Sequence, residues 1–319
     1  MTDAPRLKHN RDLAAAYIAS SGILSRYPKI SDQIECLPLQ TEKLVPNGYN
    51  PTIMDADGSL CMCYRYHEGS PATKLACARF NEKGEVESWW YLPIDVPGSV
   101  EDPKFFMREA VAHLSFVQSN YPTGMKAIVK FGVFAVTRAE QIVQPKIGQN
   151  DFSACEKNWL FWEQLGTLFC LYRCSPTHKI FQIEADRGIP LTETPAPRWP
   201  YGEIRGGTPP VQYEGKLLRF FHSRLKNELN PPHFRYYVGA YLMEPSPPFA
   251  VVRVSRKPIL YGSEIDDLKV EQRKACVHWK ANVVFPGGAV ARDGYWLLSV
   301  GVNDSACVIA KVKPETLNL

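Results

Sequence analysis

Five segments of this sequence share one layout, and this internal repeat restricts the fold more than any other feature. Each segment runs from a polar or Gly/Pro motif through a short apolar stretch and a turn into a hydrophobic strand. With one marker residue per motif, successive copies lie 52, 55, 49 and 79 residues apart, and about 40–50 residues is the length of one four-stranded propeller blade. The longer last step indicates an insertion, which we assign to the polar stretch 261–279. The segments are YNPTIMDADGSLCMCYRY, EDPKFFMREAVAHLSFV, EKNWLFWEQLGTLFCLYR, RGGTPPVQYEGKLLRFFHS and VVFPGGAVARDGYWLLSVG, with markers Asn50, Asp102, Lys157, Gly206 and Phe285.

The rest of the chain agrees with an all-β fold. Short runs rich in Val, Phe, Tyr and Leu alternate with turn dipeptides such as Asp57-Gly58 and Asp293-Gly294. Helical patterning is confined to residues 11–24. We therefore predict a five-bladed β-propeller with a short N-terminal helical segment. In domain terms, residues 1–319 form a single propeller domain, with an N-terminal extension over 1–45 and five blades over 46–319.

Composition excludes several function classes. The net charge is only +4 and the basic residues are scattered, so nucleic acid is not an expected partner. No apolar stretch is long enough for a membrane helix, and the first residues lack the apolar core of a secretory signal. The nine cysteines lie mostly in strand-like runs without a paired metal-binding pattern. We expect core thiols, no metal and a cytoplasmic location; the oligomeric state stays open.

The repeat has a functional consequence. The innermost strands of all propeller blades surround one axis, so residues at the same position of each repeat converge although they are distant in sequence. The unusual polar motifs of this chain occupy that repeated position. A single motif of this kind is best explained as a turn or a strand cap, but five in register favour a pocket on the axis.

The motifs, taken in order, resemble those of glycoside hydrolase family 130, the β-mannoside phosphorylases and hydrolases with a five-bladed propeller. They resemble even more closely those of the related glycosyltransferase family 108, the β-1,2-mannosyl enzymes of trypanosomatid parasites. The resemblance covers roughly residues 45–315. The motifs that carry it are Glu101-Asp102-Pro103, Lys157-Asn158, Gly206-Gly207-Thr208-Pro209-Pro210, Val284-Phe285-Pro286-Gly287-Gly288 and Gly301-Val302-Asn303-Asp304.

Asp102 is the expected catalytic acid. The resemblance implies that this Asp donates a proton to the glycosidic oxygen through a sugar hydroxyl, and a sugar alkoxide needs such an acid to leave. We expect burial near Phe105 and Phe106 to raise the pKa of Asp102. The alternative is an ordinary Asp-Pro turn. Lys104 stands where the family has Arg, so the bidentate contact of that Arg is lost here.

A phosphorylase needs cationic donors for phosphate, whereas an inverting hydrolase needs a second carboxylate to activate water. Lys157 and Arg173 match phosphate-binding positions implied by the resemblance. Arg205 and His222 join this predicted cluster through their placement in the repeat. Solvated surface charges are the alternative explanation. Glu156 and Glu203 keep hydrolysis possible.

Sugar binding requires side chains that hydrogen-bond hydroxyl groups. By the resemblance or by placement in the motifs, the predicted substrate-binding residues are Asn50, Arg65, Lys104, Asn158 and Asp304. Aromatic rings that could flank an acceptor sugar are Trp89, Trp90, Tyr91 and Trp159.

The expected function is an inverting β-1,2-mannan or mannooligosaccharide phosphorylase. It would convert a β-1,2-mannoside and phosphate reversibly into α-mannose-1-phosphate and a shortened chain. No cofactor is expected; inorganic phosphate is the co-substrate, and the partners are mannose oligosaccharides with phosphate or mannose-1-phosphate. The alternatives are a GDP-mannose-dependent β-1,2-mannosyltransferase, a β-mannoside hydrolase and a non-catalytic carbohydrate-binding propeller.

Overall fold

The computed structural model describes residues 34–37, 48–67, 72–81, 83–120, 127–135, 138–147, 156–226, 234–262, 282–304 and 306–319. Within these ranges the chain forms 23 β-strands in five sheets, together with one short 3₁₀ turn over Pro314–Leu317. This is the predicted five-bladed β-propeller. The predicted helix over 11–24 and most of the predicted insertion lie outside the described residues.

Each blade is a sheet whose main strands pair in an antiparallel order. The strands of blade 1 are β2 (Tyr49–Ala56), β3 (Ser59–His67), β4 (Thr73–Phe80) and β5 (Val86–Leu92). Those of blade 2 are β6 (Ser99–Arg108), β7 (Val111–Ser119), β8 (Ala127–Ala135) and β9 (Arg138–Val143). Those of blade 3 are β11 (Leu160–Gln164), β12 (Thr167–Arg173), β13 (Thr177–Glu184) and β14 (Arg187–Pro195), with β10 (Lys146–Ile147) parallel to β14.

The last two blades differ from this pattern at their edges. The strands of blade 4 are β15 (Glu203–Gly207), β16 (Val211–Tyr213), β17 (Lys216–Lys226), β18 (Phe234–Met243), β19 (Val251–Val254) and β20 (Leu260–Tyr261). Those of blade 5 are β21 (Val284–Arg292), β22 (Tyr295–Val302), β23 (Ala306–Val312) and β1 (Ile34–Leu37). Because β1 pairs with β23, a strand from the N-terminal stretch completes the last blade, and the circle of blades is joined by hydrogen bonds.

The core is divided into five apolar clusters, and each cluster fills the space between two neighbouring blades. Strand β12 illustrates the pattern: Leu168 and Cys170 face blade 2, whereas Phe169 and Leu171 face blade 4. A strand covered on both faces reads as a continuous apolar run, as in this stretch of sequence. The six described cysteines whose side chains are placed are free and buried, as predicted: Cys61, Cys63, Cys77, Cys170, Cys174 and Cys307.

The first strand of each blade lies at the axis, where it contacts first strands of other blades. Four of these strands, β2, β6, β15 and β21, change register against their neighbour at the position of the repeated motif. Such a bulge bends the strand and redirects the side chains beside it. Asn50 and Asp102 have φ values of 49° and 50° there, a left-handed conformation that Asn and Asp tolerate better than most residues. Each is followed by a proline, which bulges accept.

Candidate active site

Asp102 lies on β6 at the axis, where three blades meet. Its Oδ1 accepts hydrogen bonds from Asn50 Nδ2 of blade 1 at 3.0 Å and from Arg65 NH1 at 3.0 Å. The same Asn50 amide nitrogen reaches Oδ1 of Asp304 of blade 5 at 3.4 Å. The side chain of Asp102 keeps 16% of its surface exposed. The structure therefore brings together four of the predicted residues around a carboxylate that remains accessible.

Arg65 is fixed from several directions. Besides Asp102, its NH1 donates to Glu101 Oε2 at 3.2 Å, and its NH2 donates to the hydroxyl of Tyr49 at 2.7 Å. The ring of Tyr49 lies 4.4 Å below the guanidinium, and its hydroxyl also contacts His67 Nε2 at 2.8 Å. With its planar group held on both edges and one face, Arg65 can orient the Asp102 carboxylate without moving.

The charges around Asp102 decide its pKa. Burial raises the pKa, but Arg65, Lys157 and Lys104 together with the Asn50 hydrogen bond outweigh burial and lower it to about 2. The rise expected from the sequence is therefore wrong for this structure. The physical reason is that three cations from three different strands or loops stabilise the carboxylate more than its apolar neighbours destabilise it.

A cavity of about 240 Å³ lies between blades 3 and 4, and one of its lining residues, Lys157, also contributes to the lowered pKa of Asp102. Four predicted residues line it: Lys157, Asn158, Arg173 and Arg205. Asn158 and Gly206 pack so closely that a Cβ on the glycine would lie 2.4 Å from Asn158 Cβ, which explains why the motif of blade 4 carries glycine at this point.

The cavity and the acid are linked by Glu101. Its Oε2 accepts from Lys157 Nζ at 3.2 Å and from Arg65 at 3.2 Å, while Oε1 accepts from Ser119 at 2.8 Å. Glu101 belongs to one of the sequence motifs but had no predicted role; its position next to Asp102 at the repeated site was the available indication. Glu101 thus joins Arg65, which contacts Asp102, and Lys157, which lines the cavity, in one network.

Two predicted residues do not line the cavity. His222, on β17, is buried between the rings of Tyr236 and Phe285 and hydrogen-bonds to the main chain of Gly206. Burial, followed by the charges of Arg205 and Lys104, lowers the pKa of His222 to about 3. His222 is therefore neutral at pH 7, although its place in the repeat had put it among the predicted cations.

Lys104 is the second of these residues. Its Nζ lies 4.0 Å from the centre of the Phe285 ring and 3.4 Å from the carbonyl oxygen of Pro286, and the residue is 3% exposed. Burial lowers the pKa of Lys104 to about 7, although Asp102 opposes this change. The lysine that replaces the family arginine therefore acts on Asp102 through its charge and is almost completely buried, so its contact with a sugar is not supported.

Glu156 and Glu203, the two carboxylates that could activate water in a hydrolase, both interact with neighbouring side chains. Glu156 is buried, and its oxygens accept from Trp159 Nε1 at 3.1 Å and from the Tyr172 hydroxyl at 3.0 Å. Glu203 forms an ion pair with Arg205 at 3.1 Å.

The predicted aromatic flank is not assembled at this site. Trp159 is buried, and Trp89, Trp90 and Tyr91 lie on β5, the strand of blade 1 farthest from the axis.

In the part of the chain that the structure describes, no three His, Cys, Asp or Glu side chains form a group suited to a metal ion. Within the same residues, no helix is long and apolar enough to cross a membrane.

The fold is a five-bladed propeller with a network of charged side chains near its axis, and comparison with known proteins identifies the family. Residues 39–319 match the family model Glyco_hydro_130, described as β-1,4-mannooligosaccharide phosphorylase. The chain belongs to glycoside hydrolase family 130, whose enzymes act on mannosides as phosphorylases or hydrolases. No functionally curated protein matches the sequence.

Solved structures share the fold at low sequence identity. A β-1,2-mannobiose phosphorylase from Listeria innocua is 15% identical, with a TM-score of 0.61, and the match covers 91% of this chain and 94% of that one. A mannose phosphorylase from Leishmania mexicana, solved with phosphate, is 16% identical over 84% of both chains with a TM-score of 0.57. A glycosyl hydrolase from Bacteroides ovatus is 14% identical over 85% of both chains with a TM-score of 0.62.

Proposed function

We propose that this protein is an inverting mannoside phosphorylase that cleaves β-1,2-linked mannooligosaccharides with phosphate to give α-mannose-1-phosphate and a shortened chain. One observation carries the choice of phosphorolysis: Lys157, Arg173 and Arg205 line the cavity. Glu156 and Glu203 line it as well, but Glu156 accepts hydrogen bonds from Trp159 and Tyr172, and Glu203 is paired with Arg205. A water molecule would need a carboxylate to remove its proton, whereas phosphate arrives as an anion and needs cations.

The proposed reaction is a single displacement. A phosphate oxygen attacks C1 of the mannose residue from the side opposite the glycosidic oxygen, and the C1–O bond breaks as the new C1–O–P bond forms. The proton that the leaving oxygen takes up comes from Asp102, through a sugar hydroxyl according to the family resemblance. Asn50, Arg65, Asn158 and Asp304 would hold the sugar hydroxyl groups.

The charge network supplies a reason why Asp102 can serve as an acid despite its low pKa. Lys157 lowers that pKa and also lines the cavity. When phosphate binds Lys157, its negative charge offsets the lysine and raises the pKa of Asp102. Phosphate therefore both provides the nucleophile and prepares the acid, so protonation of Asp102 is coupled to occupation of the cavity.

The test is to incubate the purified full chain with β-1,2-mannobiose and, separately, β-1,4-mannobiose, with and without inorganic phosphate. We expect phosphate-dependent formation of α-mannose-1-phosphate from the β-1,2-linked substrate, detected by ³¹P NMR, which also reports the anomer. Asp102→Asn should abolish turnover, because the amide cannot donate a carboxyl proton. Free mannose released without phosphate would identify a hydrolase, and turnover only with GDP-mannose would identify a transferase.

Two further parts of the proposal concern the setting of the enzyme. We propose that the chain is a single propeller domain, since the five inter-blade clusters form one closed circle of contacts. We also propose a cytoplasmic location, because the placed cysteines are free thiols, as is usual in a reducing compartment.

A further inference from the structure

Arg219 is the most deeply buried cation near the site, and no sequence motif singled it out. It lies on β17 and has no exposed surface. Its NH1 donates to the hydroxyl of Tyr241 at 2.6 Å and to Cys174 Sγ at 3.2 Å, and its NH2 donates to the main-chain carbonyl of Arg205 at 2.8 Å. All three partners are neutral groups.

The guanidinium of Arg219 has no carboxylate within ion-pair distance among the described residues. Arg65, by contrast, contacts both Glu101 and Asp102. Removing a cation from water without an opposite charge is costly. The buried Nε of Arg219 also has no hydrogen-bond partner in the described structure. Because this burial is costly, we expect the charge of Arg219 to have a functional role.

The position of Arg219 indicates that its role concerns the cavity between blades 3 and 4. Two of its partners, Cys174 and Arg205, line the cavity that we assign to phosphate, so the guanidinium lies immediately behind the cavity wall. Its charge reaches the neighbouring groups, because it contributes to the lowered pKa of both Lys104 and His222. Its hydrogen bond to the carbonyl of Arg205 also fixes the strand from which the Arg205 side chain enters the cavity.

We propose that Arg219 is a positioning residue for the anionic co-substrate: it fixes the main chain at Arg205 and supplies a buried positive charge whose counter-ion is phosphate in the cavity. This inference rests on the proposed function. Phosphate completes the charge balance that the described residues leave open, and the low-dielectric surroundings keep the attraction strong although Arg219 does not touch the anion.

The experiment measures inorganic phosphate affinity by titration calorimetry, together with the KM values for phosphate and for β-1,2-mannobiose. Arg219→Gln should weaken phosphate binding on the order of tenfold and leave the mannobiose KM within about twofold, since the sugar-facing residues lie on other blades. Arg219→Lys replaces the guanidinium with an ammonium whose pKa burial lowers, so it should bind phosphate more tightly than Arg219→Gln, and increasingly so as pH falls. Arg253→Gln removes the same charge from the exposed strand β19 and is the matched control.

The outcomes separate this inference from the function on which it rests. Wild-type protein that does not bind phosphate contradicts the proposed function. Wild type that binds phosphate, with Arg219→Gln binding it equally well or losing mannobiose and phosphate affinity together, overturns the role of Arg219. If Arg219→Gln does not fold, Tyr241→Phe removes one anchor of the guanidinium and should selectively weaken phosphate binding by about threefold; an unchanged affinity overturns the inference.

Discussion

Replacing Asp102 with Asn should change how the stability of this protein depends on pH. The pKa of Asp102 is lowered from 3.8 to about 2 in the folded chain, and a difference of this size corresponds to about 2 kcal/mol of folding free energy at neutral pH. Because the folded-state pKa is the lower one, this stabilisation is present above the unfolded value and is lost as pH falls through 3.8 toward 2.

The assay is urea unfolding of wild type and Asp102→Asn at a series of pH values from 7 to 3. The absolute difference between the two proteins includes terms that do not depend on pH, such as the greater tolerance of Asn for the left-handed backbone at this position. Only the change with pH in the difference between the two unfolding free energies tests the pKa of Asp102. Wild type should lose about 1 kcal/mol relative to the variant between pH 6 and pH 3.

Asp293→Asn is the control for this measurement. It makes the same substitution in a hairpin turn that also has a left-handed φ, 51°, and so reports the pH dependence that an aspartate in a turn contributes. The stability difference between wild type and Asp102→Asn could instead stay constant with pH, or grow in favour of wild type as pH falls. Either result would show that the three cations do not hold Asp102 as a carboxylate and would refute the electrostatic account of the site.

Further predictions concern the cavity and its connection to the acid. Lys157→Gln should raise the KM for phosphate by about tenfold or more, with a smaller effect on the mannoside KM, both measured by steady-state kinetics. Glu101→Gln removes a competing anion 3.2 Å from Lys157; we expect phosphate to bind a few-fold more tightly, and weaker binding would contradict this. Gly206→Ala should displace Asn158, because a Cβ would lie 2.4 Å from its Cβ, and lower activity by at least tenfold. Gly166→Ala adds a Cβ with nothing within 4 Å, but at a φ of 72°, so it should lower thermal stability through backbone strain of about 1 kcal/mol and leave activity unchanged.

The architecture and the residues at the axis could be predicted from the sequence because the repeat encodes both. A polar motif at the same point in each copy, followed by a run such as TLFCLYR that is apolar on both faces, leaves few alternatives to a ring of blades. That is why Asn50 and Asp102, which hold the same position in two copies, were expected to meet. Asp304 was expected at the site only through the family resemblance, and it joins them although 254 residues separate it from Asn50.

The electrostatic state of the site could not be predicted in the same way. The expected rise in the pKa of Asp102 considered only the apolar neighbours Phe105 and Phe106. The cations that lower it are Arg65 of β3, Lys157 of the segment before β11, and Lys104, which lies on the same strand as Asp102. The neutral state of His222 likewise follows from the rings that enclose it. Arg219 is hidden in the strand KLLRFFHS, where a single basic residue is typical of a solvated face.

The charged and polar residues near the axis form two groups that belong to different blades. Blades 1, 2 and 5 contribute Asn50, Arg65, Asp102 and Asp304, which hydrogen-bond to one another around the acid. Blades 3 and 4 contribute the cations of the cavity, and the contact between Lys157 and Glu101 joins the two groups. An anion that binds Lys157 must compete with Glu101, and it relieves the attraction that keeps Asp102 ionised. In the proposed mechanism both effects act through one lysine, which couples phosphate binding to protonation of Asp102, and a variant at Lys157 should therefore alter the phosphate KM and the pH dependence of kcat together.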